Sequence, residues 1–249
     1  MNDIAINIEK LSFHYPKQIN NCFDGISLQV NAGERFGLFG PNGAGKTTLM
    51  NLMTGVLPFR DGDILLFGKS IKTKNNSVKK IFGFVPQDFS FYPELSPVEN
   101  LQFFGAWAGL NKTDIKNRTD FLLEKFDLSA VKNKPVEKFS GGMKRKVNLA
   151  IGVIHQPKIL FLDEPTVGVD VESRQIIIRY LNELNEQGTT LIYTSHQLNE
   201  AEKLCNKIAL IDNGKIIAHD DLNKLLLHHE QGDLEKLFLN LTGKEFSEA

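Results

Sequence analysis

A chain of 249 residues with 41% hydrophobic content is long enough to bury one sizeable core, and its net charge of −1 excludes a broad basic field for nucleic acid or anionic lipid. Two cysteines are too few for a disulfide framework. No apolar run reaches the roughly 18 residues of a membrane span, and the N-terminus lacks a basic-then-apolar leader, so no direct membrane span is expected.

Residues 4–16 and 25–30 alternate apolar and polar positions or are rich in β-branched residues, which predicts a small N-terminal antiparallel sheet. The apolar run "RFGLFG" then enters "GPNGAGKTT", where Gly40, Gly45, Lys46 and Thr47 satisfy G-x-x-x-x-G-K-[ST]. Such a loop, here Gly40, Pro41, Asn42, Gly43, Ala44, Gly45, Lys46, Thr47 and Thr48, turns successive N–H groups onto phosphate oxygens. Lys46 neutralises the outer phosphates and the Thr47 hydroxyl is a Mg²⁺ ligand. Leu49, Leu52, Met53 and Val56 follow at helical spacing, so the loop opens an amphipathic helix whose positive end faces the phosphates.

Further apolar runs end in polar residues: "IFGFVPQ" at Gln87, "ILFLDE" at Asp163 and Glu164, and "TLIYTSH" at His196. Apolar on both faces, they read as buried parallel strands, and in a doubly wound sheet their polar carboxyl ends gather at one edge. That predicts one site, with Asp163 on Mg²⁺ and Glu164 as general base on the attacking water. Gln87 is expected on Mg²⁺ or that water, and His196 on the γ-phosphate or orienting Glu164.

Residues 89–157 interrupt the strand–helix alternation with helical segments. Within them "FSGGMKRK" puts Ser140 at a capping position before Gly141 and Gly142, and Met143, Val147, Ala150, Ile151 and Ile154 follow along one helical face. A helix N-terminus of this kind is a second anion site, and two arrangements are open: both sites close on one nucleotide within a chain, or each nucleotide lies between two chains. Asn213-Gly214 reads as a hairpin turn, and Leu234, Leu237, Phe238 and Leu241 form the stripe of a tail helix docked on the body or on a partner. The expected organisation is one α/β domain of P-loop NTPase type with a mostly parallel sheet. Residues 1–88 and 158–222 form the core with its antiparallel β subdomain, 89–157 an inserted α-helical subdomain, and 223–249 a helical tail.

In order, "GPNGAGKTT", Gln87, "FSGGM", "ILFLDEP", "VGVD" and His196 resemble the motifs of ATP-binding cassette (ABC) transporter subunits, and the likeness covers nearly the whole chain. The resemblance implies an ATPase using ATP and Mg²⁺, with two copies, or this chain and a paralogous ATPase subunit, meeting head to tail. Ser140, Gly141 and Gly142 of one copy then bind the nucleotide held by the other, Asp170 links the two sites, and Tyr15, with Phe13 as the alternative, stacks on adenine. It also implies separate integral membrane permease subunits, which place the chain in the cytoplasm, peripheral on the inner face of the cell membrane. The segment from Phe89 to Gly105 is expected to receive the permease. Met143 and Phe139 depart from the family's common Gln and Leu. "EPTVGVD" and the tail resemble the branch serving bacterial exporters of drugs, antibiotics and lipid-linked sugars. The alternative is a soluble ABC ATPase acting as a mechanochemical module on a non-transport partner.

Overall fold

The computed structural model describes residues 3–16, 22–73, 76–195 and 198–243. Strands β1 (Ile4–Phe13) and β2 (Phe23–Asn31) pair antiparallel, with Ile8 opposite Leu28 and Leu11 opposite Ile26. Their inward positions, Ile6 and Ile8 against Val30 and Leu28, are buried as the period of two requires, and an irregularity at Lys10, at φ +46°, returns Leu11 to the same inner face against Ile26. Strand β3 (Arg35–Phe39) passes into a second sheet and runs into the glycine loop that opens α1 (Lys46–Met53). Leu49, Leu52 and Met53 are buried on α1, but the helix ends there, and Gly55 turns left-handed at φ +71°. Val56, expected as the next member of the stripe, lies past the end and is 59% exposed.

Strands β4 (Asp61–Leu66) and β5 (Lys69–Ser70) return to the first sheet, whose order is β2-β1-β4-β5. After α2 (Asn76–Lys79) and β6 (Phe82–Val85) come three helices with no strand among the described residues: α3 (Pro97–Trp107), α4 (Lys112–Lys125) and α5 (Gly141–Val153). Each starts on a side-chain cap, Ser96, Asn111 and Ser140, and Ser96 with Glu99 completes a capping box around Pro97 at the first turn. The chain continues through β7 (Ile159–Asp163), α6 (Val171–Glu186), β8 (Thr190–Thr194), α7 (Leu198–Leu204), β9 (Lys207–Asp212), β10 (Lys215–Asp221), α8 (Leu222–His228) and α9 (Leu234–Thr242).

The second sheet has the order β10-β9-β3-β8-β7-β6, parallel from β9 to β6 and closed at one edge by antiparallel β10. The β9–β10 turn is Asn213-Gly214, both at positive φ (47° and 71°), as a two-residue hairpin needs. Every residue of β7 and β8 is buried because the sheet is covered on both faces. Alternate residues of β7 feed different cores: Ile159 and Phe161 pack with the antiparallel sheet and α1, and Leu160 and Leu162 with the inserted helices and α6. The second core also takes in Leu234, Leu237 and Phe238 of α9, so the tail helix is docked on the body of its own chain. No helix among the described residues is long and apolar enough to cross a membrane.

Candidate nucleotide site

Because β3, β8, β7 and β6 are parallel neighbours, their carboxyl ends bring the glycine loop, Thr194, Asp163 and Gln87 to one edge of the sheet. The loop is tight for packing reasons as well as for phosphate. A Cβ on Gly40 would lie 2.0 Å from the Ile211 carbonyl oxygen, and one on Gly45 would lie 2.7 Å from the Phe23 ring. Gly43 and Gly45, at φ +79° and +108°, turn the backbone as an N–H cradle requires, and the first-turn N–H groups of α1 have no helical partner. Donors and curvature therefore fit a phosphate chain.

Lys46 is buried with its Nζ donating to the carbonyls of Gly40 (2.7 Å) and Pro41 (3.1 Å), which fixes the ammonium against the loop. Burial pushes its pKa down, while the nearby carboxylates of Glu164 and Asp163 pull it back up. Thr47 is exposed on the first turn of α1, and Thr48, one residue on, is buried with its Oγ1 2.9 Å from the Tyr15 hydroxyl. Tyr15 stands edge-on to Phe13 with ring centroids 5.0 Å apart, so the aromatic pair flanks the loop.

Asp163 is the last residue of β7 and Glu164 the first beyond it, at φ +52°, so the strand's alternation no longer governs where Glu164 points. Both are buried. Thr194 donates from Oγ1 to Asp163 Oδ1 (2.5 Å), and the Glu164 N–H donates to the Thr194 carbonyl (3.2 Å). Gln87 donates from Nε2 to Glu164 Oε2 (3.1 Å). Burial first, then the Asp163 charge, raises the Glu164 pKa, and the cations of Lys46 and Arg145 oppose that rise. A carboxylate raised in this way is better suited to accept a proton near neutral pH.

No group of three or more His, Cys, Asp or Glu side chains is placed to hold a metal among the described residues. Magnesium suits the hydroxyl and carboxylate oxygens available, since it is bound by one or two protein oxygens together with substrate phosphates. Thr47, exposed on the first turn of α1, and Asp163, at the end of β7, would offer oxygens of that kind.

Ser140 caps α5, its Oγ accepting from the Met143 N–H (3.3 Å). This helix end packs on the loop after β7: a Cβ on Gly142 would lie 2.3 Å from Asp170 Oδ2, and the nearest atom to one on Gly141 is the Gly168 carbonyl oxygen at 3.5 Å. Asp170 in turn caps α6 by accepting from the Ser173 N–H (2.9 Å). Among the described residues no hydrogen bond joins Ser140, Gly141 or Gly142 to Gly40–Thr48. His196 lies outside the described residues.

Three residues at this edge escape sequence reasoning. Thr194 is visible in hindsight as the end of a strand beside β7, whereas Arg145 and Asn148 sit in a basic, polar helix stretch with nothing to mark them as buried.

Residues 23–167, more than half of the chain, match the ABC transporter family. The chain belongs to the ABC transporter family. Relatives that it matches are named as ATP-binding proteins. The linearmycin resistance ATP-binding protein LnrL of Bacillus subtilis (strain 168) is 43% identical over 78% of this chain and 62% of its own length. The Nod factor export ATP-binding protein I of Ralstonia nicotianae is 36% identical over 94% of this chain and 72% of its own length. The chain thus spans less than two thirds of the first of these ABC relatives. A solved ATP-binding subunit of an ABC transporter superposes with a TM-score of 0.88 at 27% identity, covering 96% of this chain and 99% of that one.

Proposed function

We propose that the chain is the nucleotide-binding subunit of an exporter: two copies close head to tail on two Mg-ATP and drive separate membrane permease subunits. In each half-site Gly40–Thr48 cradles the phosphates, Lys46 neutralises them, Tyr15 flanks the base, and Thr47, Asp163 and Gln87 hold Mg²⁺. Glu164 accepts the proton of the attacking water, held by Gln87, and His196 serves the γ-phosphate. Magnesium supplies charge neutralisation at the transferring phosphoryl group. Residues 89–157 act as a helical subdomain carrying the signature Ser140, Gly141 and Gly142, and 223–249 as its tail.

The observation that carries the head-to-tail reading is the packing of Gly142 against Asp170, with no hydrogen bond from this helix end to the glycine loop of the same chain. A capped helix end with orphan N–H groups and no hydrogen bond to the phosphate loop of its own chain fits a phosphate brought by a second copy. Export is the direction favoured by relatives named for linearmycin resistance and Nod factor export.

For the permease contact, the structure offers a groove of about 730 Å³ between β6 and the helical insert. Phe82, Phe84, Phe104 and Trp107 give it apolar walls, and Lys79 and Lys80 are among its lining residues, which include no carboxylate. Trp107 is 74% exposed at its mouth. Such a surface fits an apolar permease segment carrying an acidic residue, and it would hold the subunit at the cytoplasmic face of the membrane.

Gel filtration of Glu164→Gln with ATP and Mg²⁺ tests the reading. A dimer that reverts to monomer without nucleotide is the expected result, together with hydrolysis slowed about 10²-fold or more. A monomer at saturating ATP would sink the head-to-tail arrangement.

A further inference from the structure

We propose that Arg145 is a positioning residue for hydrolysis, holding the backbone on both sides of Gln87 so that the Gln87 amide stays on Glu164. The proposal rests on the assignment of Gln87 and Glu164 to the hydrolytic site.

Beyond Val85 the chain leaves the sheet, so residues 86–90 have no ladder to fix them. Two side chains of α5, three residues apart and so on one helical face, take over that task. Arg145 donates from Nη1 to the carbonyls of Pro86 (3.2 Å) and Gln87 (2.9 Å), and its guanidinium lies 4.9 Å from the centre of the Phe89 ring. Asn148 donates to the Pro86 carbonyl (3.2 Å) and accepts from both the N–H (3.1 Å) and the hydroxyl (3.0 Å) of Ser90. The segment is thus gripped at Pro86, Gln87, Phe89 and Ser90, and from it the Gln87 side chain reaches the Glu164 carboxylate, at 3.1 Å.

Arg145 is only 5% exposed, and its Nε is buried without a hydrogen-bond partner among the described residues. A guanidinium sunk this deeply with one donor unmet is an expensive anchor for a loop that a neutral side chain could have packed. What the arginine adds is a single Nη1 group that donates to two consecutive carbonyls from a guanidinium plane held beside the Phe89 ring, which fixes the backbone on both sides of Gln87. Because Arg145 belongs to α5, whose N-terminal end carries Ser140, Gly141 and Gly142, displacement of that helix would be passed to the Gln87–Glu164 contact.

The test uses the full chain and steady-state ATPase kinetics of Arg145→Met, Arg145→Lys, Gln87→Ala and the Arg145→Lys/Gln87→Ala pair. Arg145→Met is expected to lower kcat about 10-fold or more with KM for ATP changed less than about 3-fold, since misplacing a catalytic group costs rate rather than ground-state binding. Arg145→Lys, which keeps the charge and one reachable carbonyl, should recover part of the lost kcat. In the Gln87→Ala background Arg145→Lys should cost nothing further, because its effect runs through Gln87. Independent losses in the double variant, or a wild-type kcat in Arg145→Met, overturn the proposal. Should Arg145→Met fail to fold, the Lys pair decides alone. Failure of the Glu164 assignment shows separately, as a Glu164→Gln variant of normal rate.

Discussion

Gly142 and Asp170 touch so closely that the first has no room for a side chain: a Cβ there would sit 2.3 Å from the aspartate Oδ2 and 2.5 Å from Ser173 Oγ. The start of α5 and the start of α6 are therefore one packed unit, with the Asp170 cap between them. Gly142→Ala must push these helix ends apart. Overpacking of this kind costs about 1–3 kcal/mol, so the variant should fold with a lowered melting temperature. Its ATPase rate should fall sharply while ATP affinity of the isolated monomer, measured by titration, stays at the wild-type value. Equal loss of monomer affinity would show that Gly142 serves the nucleotide of its own chain.

The loop that holds the phosphates is constrained from outside as well. Gly40 abuts the backbone of Ile211, the penultimate residue of β9, and a carbonyl oxygen in a strand cannot retreat from a Cβ at 2.0 Å. Gly40→Ala is expected to shift the loop away from β9, weaken ATP binding by about 10-fold or more, and destabilise the fold by roughly 1–3 kcal/mol. Isothermal titration with ATP and a denaturation curve separate the two effects. Normal affinity in a folded variant would mean that the loop tolerates displacement.

The strand ends were legible in the sequence because burial on both faces leaves a plain mark, an unbroken apolar run that stops at a polar residue. β7 and β8, buried at every residue, carry that mark. β3 and β6, the latter with Phe82 and Phe84 half-buried, carry the same apolar run into the glycine loop and Gln87, so the edge where the four strands end could be placed before any geometry was known. β4 does not carry it. It opens on Asp61-Gly62-Asp63 and pairs with β1, more than fifty residues earlier, so its strand character comes from a distant partner. Val56 misled because periodicity continues past a helix that backbone geometry has already ended at Gly55. Arg145 was illegible for a related reason: it lies off the apolar face of its helix among the lysines of "MKRK", and only the fold of residues 86–90 over it makes it buried. The Gln87 to Glu164 contact spans 77 positions, and strand order rather than local sequence brings them together.

The tail helix should behave as part of the core. Phe238 is fully buried beside Leu234 and Leu237, and the first N–H of α9, on Leu234, donates to the Glu202 carboxylate of α7. Phe238→Ala removes a large buried side chain and is expected to cost about 3–5 kcal/mol, read as a lower urea midpoint at unchanged slope. A change under about 1 kcal/mol would mean that α9 is not anchored to the body in solution.

His155 gives the protein a pH dependence of known sign. Its Nε2 lies 2.9 Å from the Phe82 carbonyl oxygen in the wall of the groove that also exposes Lys79 and Lys80. A ring nitrogen facing a carbonyl carries the proton, so the neutral Nε2–H form satisfies this bond. Burial lowers the His155 pKa most, the Arg118 guanidinium lowers it further, and the bond to Phe82 opposes both. In the unfolded chain the imidazole titrates at about 6.5. As pH falls through that value, the unfolded state takes up a proton that the native state refuses. The stabilisation is therefore complete above about pH 6.5 and is lost progressively below it, down to the native pKa. His155→Gln keeps a donor for Phe82 and removes the titration, so the loss of stability between about pH 8 and pH 5.5 should be smaller in the variant than in the wild type. Denaturant curves at the two pH values measure that difference, and equal losses in both proteins would remove His155 as its source.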